Sequence, residues 1–146
     1  MLYVSSMSTN ATLMEDHTMS NFHSLTETLA AIATTKPSAM AVKGLTVGEG
    51  FVAGVLQCGD HVLAMHRQPN HEELLVVLEG EATFRVGDEL REIRAGDFIV
   101  VPRNAVHGTV AVKQGPLSLL SVFTPRIDFV REVVWEGKQP AFQMVG

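Results

Sequence analysis

From Pro37 onward the chain is a succession of short apolar runs broken by glycine, and this punctuation limits the folds open to it more than any other feature. Met40-Ala41-Val42, residues 51–56 and residues 62–65 come first. Residues 73–79 and 82–86 follow, the second run with Ala82, Phe84 and Val86 alternating with Thr83 and Arg85. Gly87-Asp88 reads as a turn, with a strand after it through about Ile93. Ala95-Gly96-Asp97 turns into Phe98-Ile99-Val100-Val101, and the runs 106–112 and 117–123 come next, parted by Gly115-Pro116. Strands this short, at roughly ten-residue spacing, suit an all-β sandwich or barrel. Residues 126–135 fit a last strand or a short helix equally well.

Only one stretch has a helical period. Phe22, Leu25, Leu29, Ile32 and Ala33 recur at the spacing of a helix face. Ser24 with Glu27 forms a capping-box pattern, Ser20 is a second possible start, and Lys36-Pro37 is a stop. A helix this short is marginal alone, so its apolar face must cover something. Residues 1–20 are polar and aperiodic and are expected to be a mobile tail. The expected organisation is therefore a tail over 1–20, an amphipathic helix over 21–36 and a single β-domain over 37–146. Met7, Met14 and Met19 each offer a start later than Met1.

Composition narrows the function classes. The 146 residues are 46% hydrophobic, enough for a core without disulfide staples. Net charge is −5 with no basic run, which argues against nucleic acid or an anionic membrane as partner. Cys58 is the single cysteine, so no internal disulfide can form and a reducing, cytoplasmic setting is expected. Apolar runs are far shorter than a membrane span, and residues 1–20 lack the basic and apolar regions of a secretory signal.

Chemistry gathers in two places. His66-Arg67-Gln68-Pro69-Asn70-His71-Glu72-Glu73 brings histidines, an amide and carboxylates to the mouth of a buried strand, and Pro102 to His107 forms a second cluster. Residues at i and i+2 on a strand share a face, so His66 and Gln68 can enter one interior together. If Glu73 points inward, Leu75 and Val77 do too, and Leu74, Val76 and Leu78 point out. A strand apolar on both faces is covered on both, by the 22–33 helix, by a partner subunit, or by both. A homodimer is expected.

The two clusters resemble the paired motifs of the cupin superfamily, G-x5-H-x-H-x3,4-E-x6-G and G-x5-P-x-G-x2-H-x3-N. His66, Gln68, Glu73 and Gly80 fall in register with the first, with Gly59 one place early for its opening glycine. Gly96, Pro102 and His107 fall in register with the second, where Asn104 replaces glycine and Ala111 replaces asparagine. The match spans residues 59–111. It implies a double-stranded β-helix, that is, a jelly-roll β-barrel, with a short helix ahead of it.

It further implies a divalent transition metal (Fe, Mn, Ni, Co or Zn) held by His66, Gln68, Glu73 and His107. Two histidines and a carboxylate with open positions suit Fe(II) and tolerate the others. Gln68 is the departure: an amide oxygen replaces an imidazole, which weakens the ligand set. Gln68 is read as a fourth ligand or as an amide that orients substrate, with His71 as the alternative imidazole or a loop residue. Cys58 is read as a buried apolar residue, and Arg85 and Arg103 as solvated or placed to meet an anion. The function implied is a small-molecule enzyme, dioxygenase-like or acting by decarboxylation or isomerisation. Two alternatives stand beside it: a binding or sensing module without turnover, and metal-free acid/base isomerisation by His107 with Glu73.

Overall fold

The computed structural model describes residues 20–33, 40–58 and 63–146. Residues 1–19 of the expected tail, the Lys36-Pro37 stop and Gly59 lie outside the described residues. Among the described residues, helix α1 (Leu25–Ala33) precedes nine strands: β1 (Met40–Val47), β2 (Val52–Gln57), β3 (His66–Arg67), β4 (Glu72–Val86), β5 (Glu89–Arg94), β6 (Phe98–Val101), β7 (His107–Thr124), β8 (Val134–Trp135) and β9 (Phe142–Met144). The all-β architecture with one short helix is as expected.

Of the two possible helix starts, Ser24 is the cap. Its Oγ accepts the Glu27 N–H at 3.1 Å, and its carbonyl accepts the Thr28 N–H. Ser20 accepts the Phe22 N–H instead, which leaves Phe22 ahead of the helix and 88% exposed. The helix therefore begins at Leu25 rather than at residue 21, and Phe22 is not part of its apolar face.

Two expected breaks are not breaks. Residues 73–79 and 82–86 belong to one strand, β4, and 107–112 and 117–123 belong to one strand, β7. Gly80 and Gly115-Pro116, which the sequence presents as turns, are bends inside continuous strands, and the Gly115-Pro116 peptide is cis. β4 and β7 pair antiparallel from Glu72 opposite Thr124 to Val86 opposite His107. At ~3.3 Å per residue a straight ladder would hold Glu73 and His107 about 40 Å apart. Their side chains are instead hydrogen-bonded at 2.9 Å. The ladder has coiled until its ends meet.

Register slips supply the coil. They fall between Val77 and Glu79, Glu79 and Glu81, Glu81 and Ala82, and Thr83 and Phe84, and bulges of this kind bend a strand and raise its twist. Gly80, at φ +93°, sits in their midst. A Cβ there would lie 2.4 Å from the Pro116 carbonyl oxygen and 2.8 Å from the Leu117 Cα. Only glycine fits both the conformation and the space.

The remaining strands complete the wall. The order is β5-β4-β7-β2-β1-β9, with β6 on β4 and β3 between β7 and β8. Leu63–Met65, expected as strand, is not one, yet its carbonyls are used: Thr109 N–H donates to Leu63 and Glu136 N–H to Met65. Residues 126–135 are neither the full strand nor the helix considered. A turn in which the Asp128 carboxylate accepts the Val130 and Arg131 N–H groups leads into the two-residue β8.

Leu75, Val77, Phe84, Val101, Leu117 and Leu119 fill the interior with Cys58, as the alternation along β4 required. On the outside, Ile32 of α1 is buried with Ala41 and Val55, and Leu25, Leu29, Leu78 and Leu120 pack around them. The helix thus covers one end of the outer face. At the other, Phe98 and Val100 are 61% and 51% exposed, opposite Val76 and Leu74. Among the described residues no helix is long and apolar enough to cross a membrane.

Candidate metal centre

Coiling of the β4–β7 ladder brings Glu73 and His107 together, and β3, paired to β7, adds His66 at the same point. His66 comes from β3, Glu73 from the start of β4 and His107 from the start of β7. His66 and His107 are directly paired residues of neighbouring strands. One donor atom from each of His66, Glu73 and His107 lies within 4.8 Å of the others, and all three side chains are buried. A carboxylate and two imidazoles so placed could hold a metal ion.

Backbone carbonyls fix both rings. The Nδ1–H of His66 donates to the Ala64 carbonyl at 2.7 Å, and that of His107 to the Ala105 carbonyl at 2.9 Å. A carbonyl can only accept, so Nδ1 carries the proton in each ring and Nε2 faces the site. Burial, and next the charge of His107, push the His66 imidazole down to about 3, against the opposing pull of the Ala64 carbonyl. His66 is thus a neutral ring with a free lone pair near neutral pH.

His107 Nε2 lies 2.9 Å from Glu73 Oε1. With Nδ1 already protonated, two acceptor atoms face each other unless a cation is shared between them. A proton can serve, and so can a metal: donors ~2.1 Å from one ion and at right angles stand about 3 Å apart. Ser121 Oγ–H donates to the other carboxylate oxygen and holds its orientation. The residues present therefore fit a divalent ion in chemistry and in spacing.

Gln68 is buried to 1% exposure, directly after β3, and its backbone carbonyl accepts the Asn104 N–H. Its Nε2 has no hydrogen-bond partner among the described residues. A buried amide left so costs about 1–3 kcal/mol. Asn104 itself explains one departure from the motif. It stands at φ +68°, the left-handed region in which glycine is usual and asparagine tolerated, and its Oδ1 accepts from Arg67.

Other sequence-predicted residues sit elsewhere. His71 is buried but does not join the three donors. Its Nε2 donates to the Arg126 carbonyl at 3.0 Å, near Glu132, and so ties the hairpin to the 126–132 turn. Glu72 is exposed. Burial raises the Cys58 thiol to about 12, so it is inert core. Arg85 donates to the Gly87 carbonyl and Arg103 is exposed.

Two residues were missed. Ser121 falls among Leu117, Leu119 and Phe123, the inward set of β7, and a polar residue in that alternation was the available signal. Trp135 stacks on His66 with centroids 4.7 Å apart, and it lies in the segment whose form the sequence left open.

The sequence matches the family model described as Cupin domain over residues 54–123. No curated protein is matched by the chain. Among solved structures, a Klebsiella pneumoniae protein with a double-stranded beta-helix domain is similar at TM-score 0.64 and 20% identity, over 82% of this chain and 99% of that one. The protein TT1209 from Thermus thermophilus gives TM-score 0.59 and 26% identity, over 68% and 95%. The DMSP lyase DddQ from Ruegeria pomeroyi gives 0.56 and 24%, over 68% of this chain and 54% of that one.

Proposed function

This chain belongs to the cupin superfamily, and from that premise we propose that it is a metal-dependent enzyme acting on a small organic molecule, with dioxygenase-type chemistry foremost. The observation that carries the reading is the convergence of His66, Glu73 and His107, buried and with both imidazoles presenting Nε2 to one point. These three residues would hold the ion. When bound, it would supply a Lewis acid with open positions for substrate and small oxygen ligands.

The chain's own groups do the rest. Ala64 and Ala105 hold the ring tautomers, and Ser121 holds Glu73. Trp135 covers one face of His66 and keeps water from it. Gln68 has a free, buried amide end, and amide oxygen and nitrogen are assigned from their partners. We assign it a place beside the ion, as a fourth ligand through oxygen or as a donor to bound substrate. Replacing Gln68 by histidine separates these. As a ligand position, Gln68→His is expected to raise affinity for Ni or Zn tenfold or more, read by competition with a chromophoric chelator. An unchanged affinity would place Gln68 on the substrate instead.

Binding without turnover is the second reading, favoured by that same neutral ligand. In either case the protein is proposed to work in the cytoplasm as a homodimer. Exposed Phe98 and Val100 beside Leu74 and Val76 form an uncovered apolar strip on the outer face. Light scattering is expected to give twice the 15.9 kDa chain mass. A mass of one chain at micromolar concentration would refute the dimer.

A further inference from the structure

A cavity of about 180 Å³ opens beside two of the three donors, His66 and Glu73. Its polar end is His66, Glu73 and Ser121. The rest of its lining is apolar, with Leu56 and Phe123 from the barrel wall and Ile127, Phe129 and Met144 from the C-terminal segment. Those last three lie beyond residue 123, where the family match ends. Phe129 is held in place from two sides, with ring centroids 6.0 Å from Phe123 and 5.3 Å from Phe142. His71 ties the base of the same segment through the Arg126 carbonyl.

Size, charge and shape converge. A dry cavity of about 150 Å³ lined by aliphatic and aromatic side chains is enough for benzene, so this one admits a single ring with one small substituent. Among the described residues that line it, none is lysine or arginine. A charged group in the apolar part of the cavity would therefore be pressed against aliphatic and aromatic side chains with no partner. One polar atom, by contrast, has a place at the His66–Glu73–Ser121 end.

We infer that the substrate is a neutral molecule of one ring, or of comparable branched aliphatic bulk, with a single hydroxyl or carbonyl group directed at His66 and Glu73. The inference rests on the reading of this cavity as the substrate site.

Calorimetric titration of the purified full chain with phenol and with succinate tests it, with metal content measured on the same sample. Phenol is expected to bind saturably and at least tenfold more tightly than succinate. Phe129→Ala is expected to weaken phenol about fivefold through loss of the aromatic contact. Ile127→Trp, a change at a half-buried mouth residue, is expected to abolish phenol binding while thermal unfolding stays as in the parent. Succinate binding as well as phenol, or phenol failing to saturate at tens of millimolar, overturns the inference. Metal present with no phenol bound would overturn the substrate class and leave the metal reading standing. Phenol bound without metal would do the reverse.

Discussion

Gly80→Ala is expected to cost at least 3 kcal/mol of folding stability, and more if the barrel fails to close. Two effects add. A non-glycine residue at φ +93° carries roughly 1–2 kcal/mol of backbone strain. The new methyl would also meet the Pro116 carbonyl oxygen at 2.4 Å and the Leu117 Cα at 2.8 Å, and both are backbone atoms of the paired strand that cannot swing aside. For a domain of this size each kcal/mol moves the melting temperature by roughly 2–4 °C. Thermal unfolding of the variant should thus begin about 10 °C lower. A shift under 2 °C would show that the ladder bends elsewhere. The consequence for function follows from topology, since Gly80 lies midway along the coil that returns His107 to Glu73.

His107→Ala is expected to lower metal affinity at least a hundredfold, the upper end of what even supporting residues around a metal contribute. Without metal it should also destabilise the fold, because Glu73 would lose its buried partner and keep only Ser121. Breaking a buried pair by removing one member typically costs about 3–5 kcal/mol. His71→Ala is the informative control. His71 is as buried as the ligands and lies two residues from Glu73, yet it binds the Arg126 carbonyl instead. Its removal should leave metal affinity within twofold while loosening the 126–132 segment. Equal loss of metal in both variants would mean that the three-donor assignment is wrong.

How much of this was legible in the sequence can be argued from particular residues. The fold class came from the glycine-punctuated runs, and the facing of Glu73, Leu75 and Val77 came from alternation alone. His66 and His107 were found by their motif register. Strand continuity at Gly80 and Gly115-Pro116 was not legible, because a glycine or proline that bends a paired strand has the same local signature as one that ends it. What differs is the partner across the ladder, and that is a long-range fact. Trp135 escaped for a related reason. Its segment has no period, being held by Asp128 capping and by pairing to the two-residue β3, so nothing local could place it over His66. Asn104 is the opposite case, since its tolerance of positive φ makes the departure from the motif intelligible once the turn is seen.

Coiling of the β4–β7 pair, with β3 laid against β7, builds a metal site from His66, Glu73 and His107. Elemental analysis of the full chain, purified without a histidine tag and without chelator, tests it most directly. The account predicts one equivalent of a single first-row transition metal per chain, reduced below a tenth in His66→Ala and in His107→Ala. Metal-free protein that takes up no Fe, Mn, Ni, Co or Zn at micromolar concentrations, yet binds its small ligand with full affinity, would contradict it.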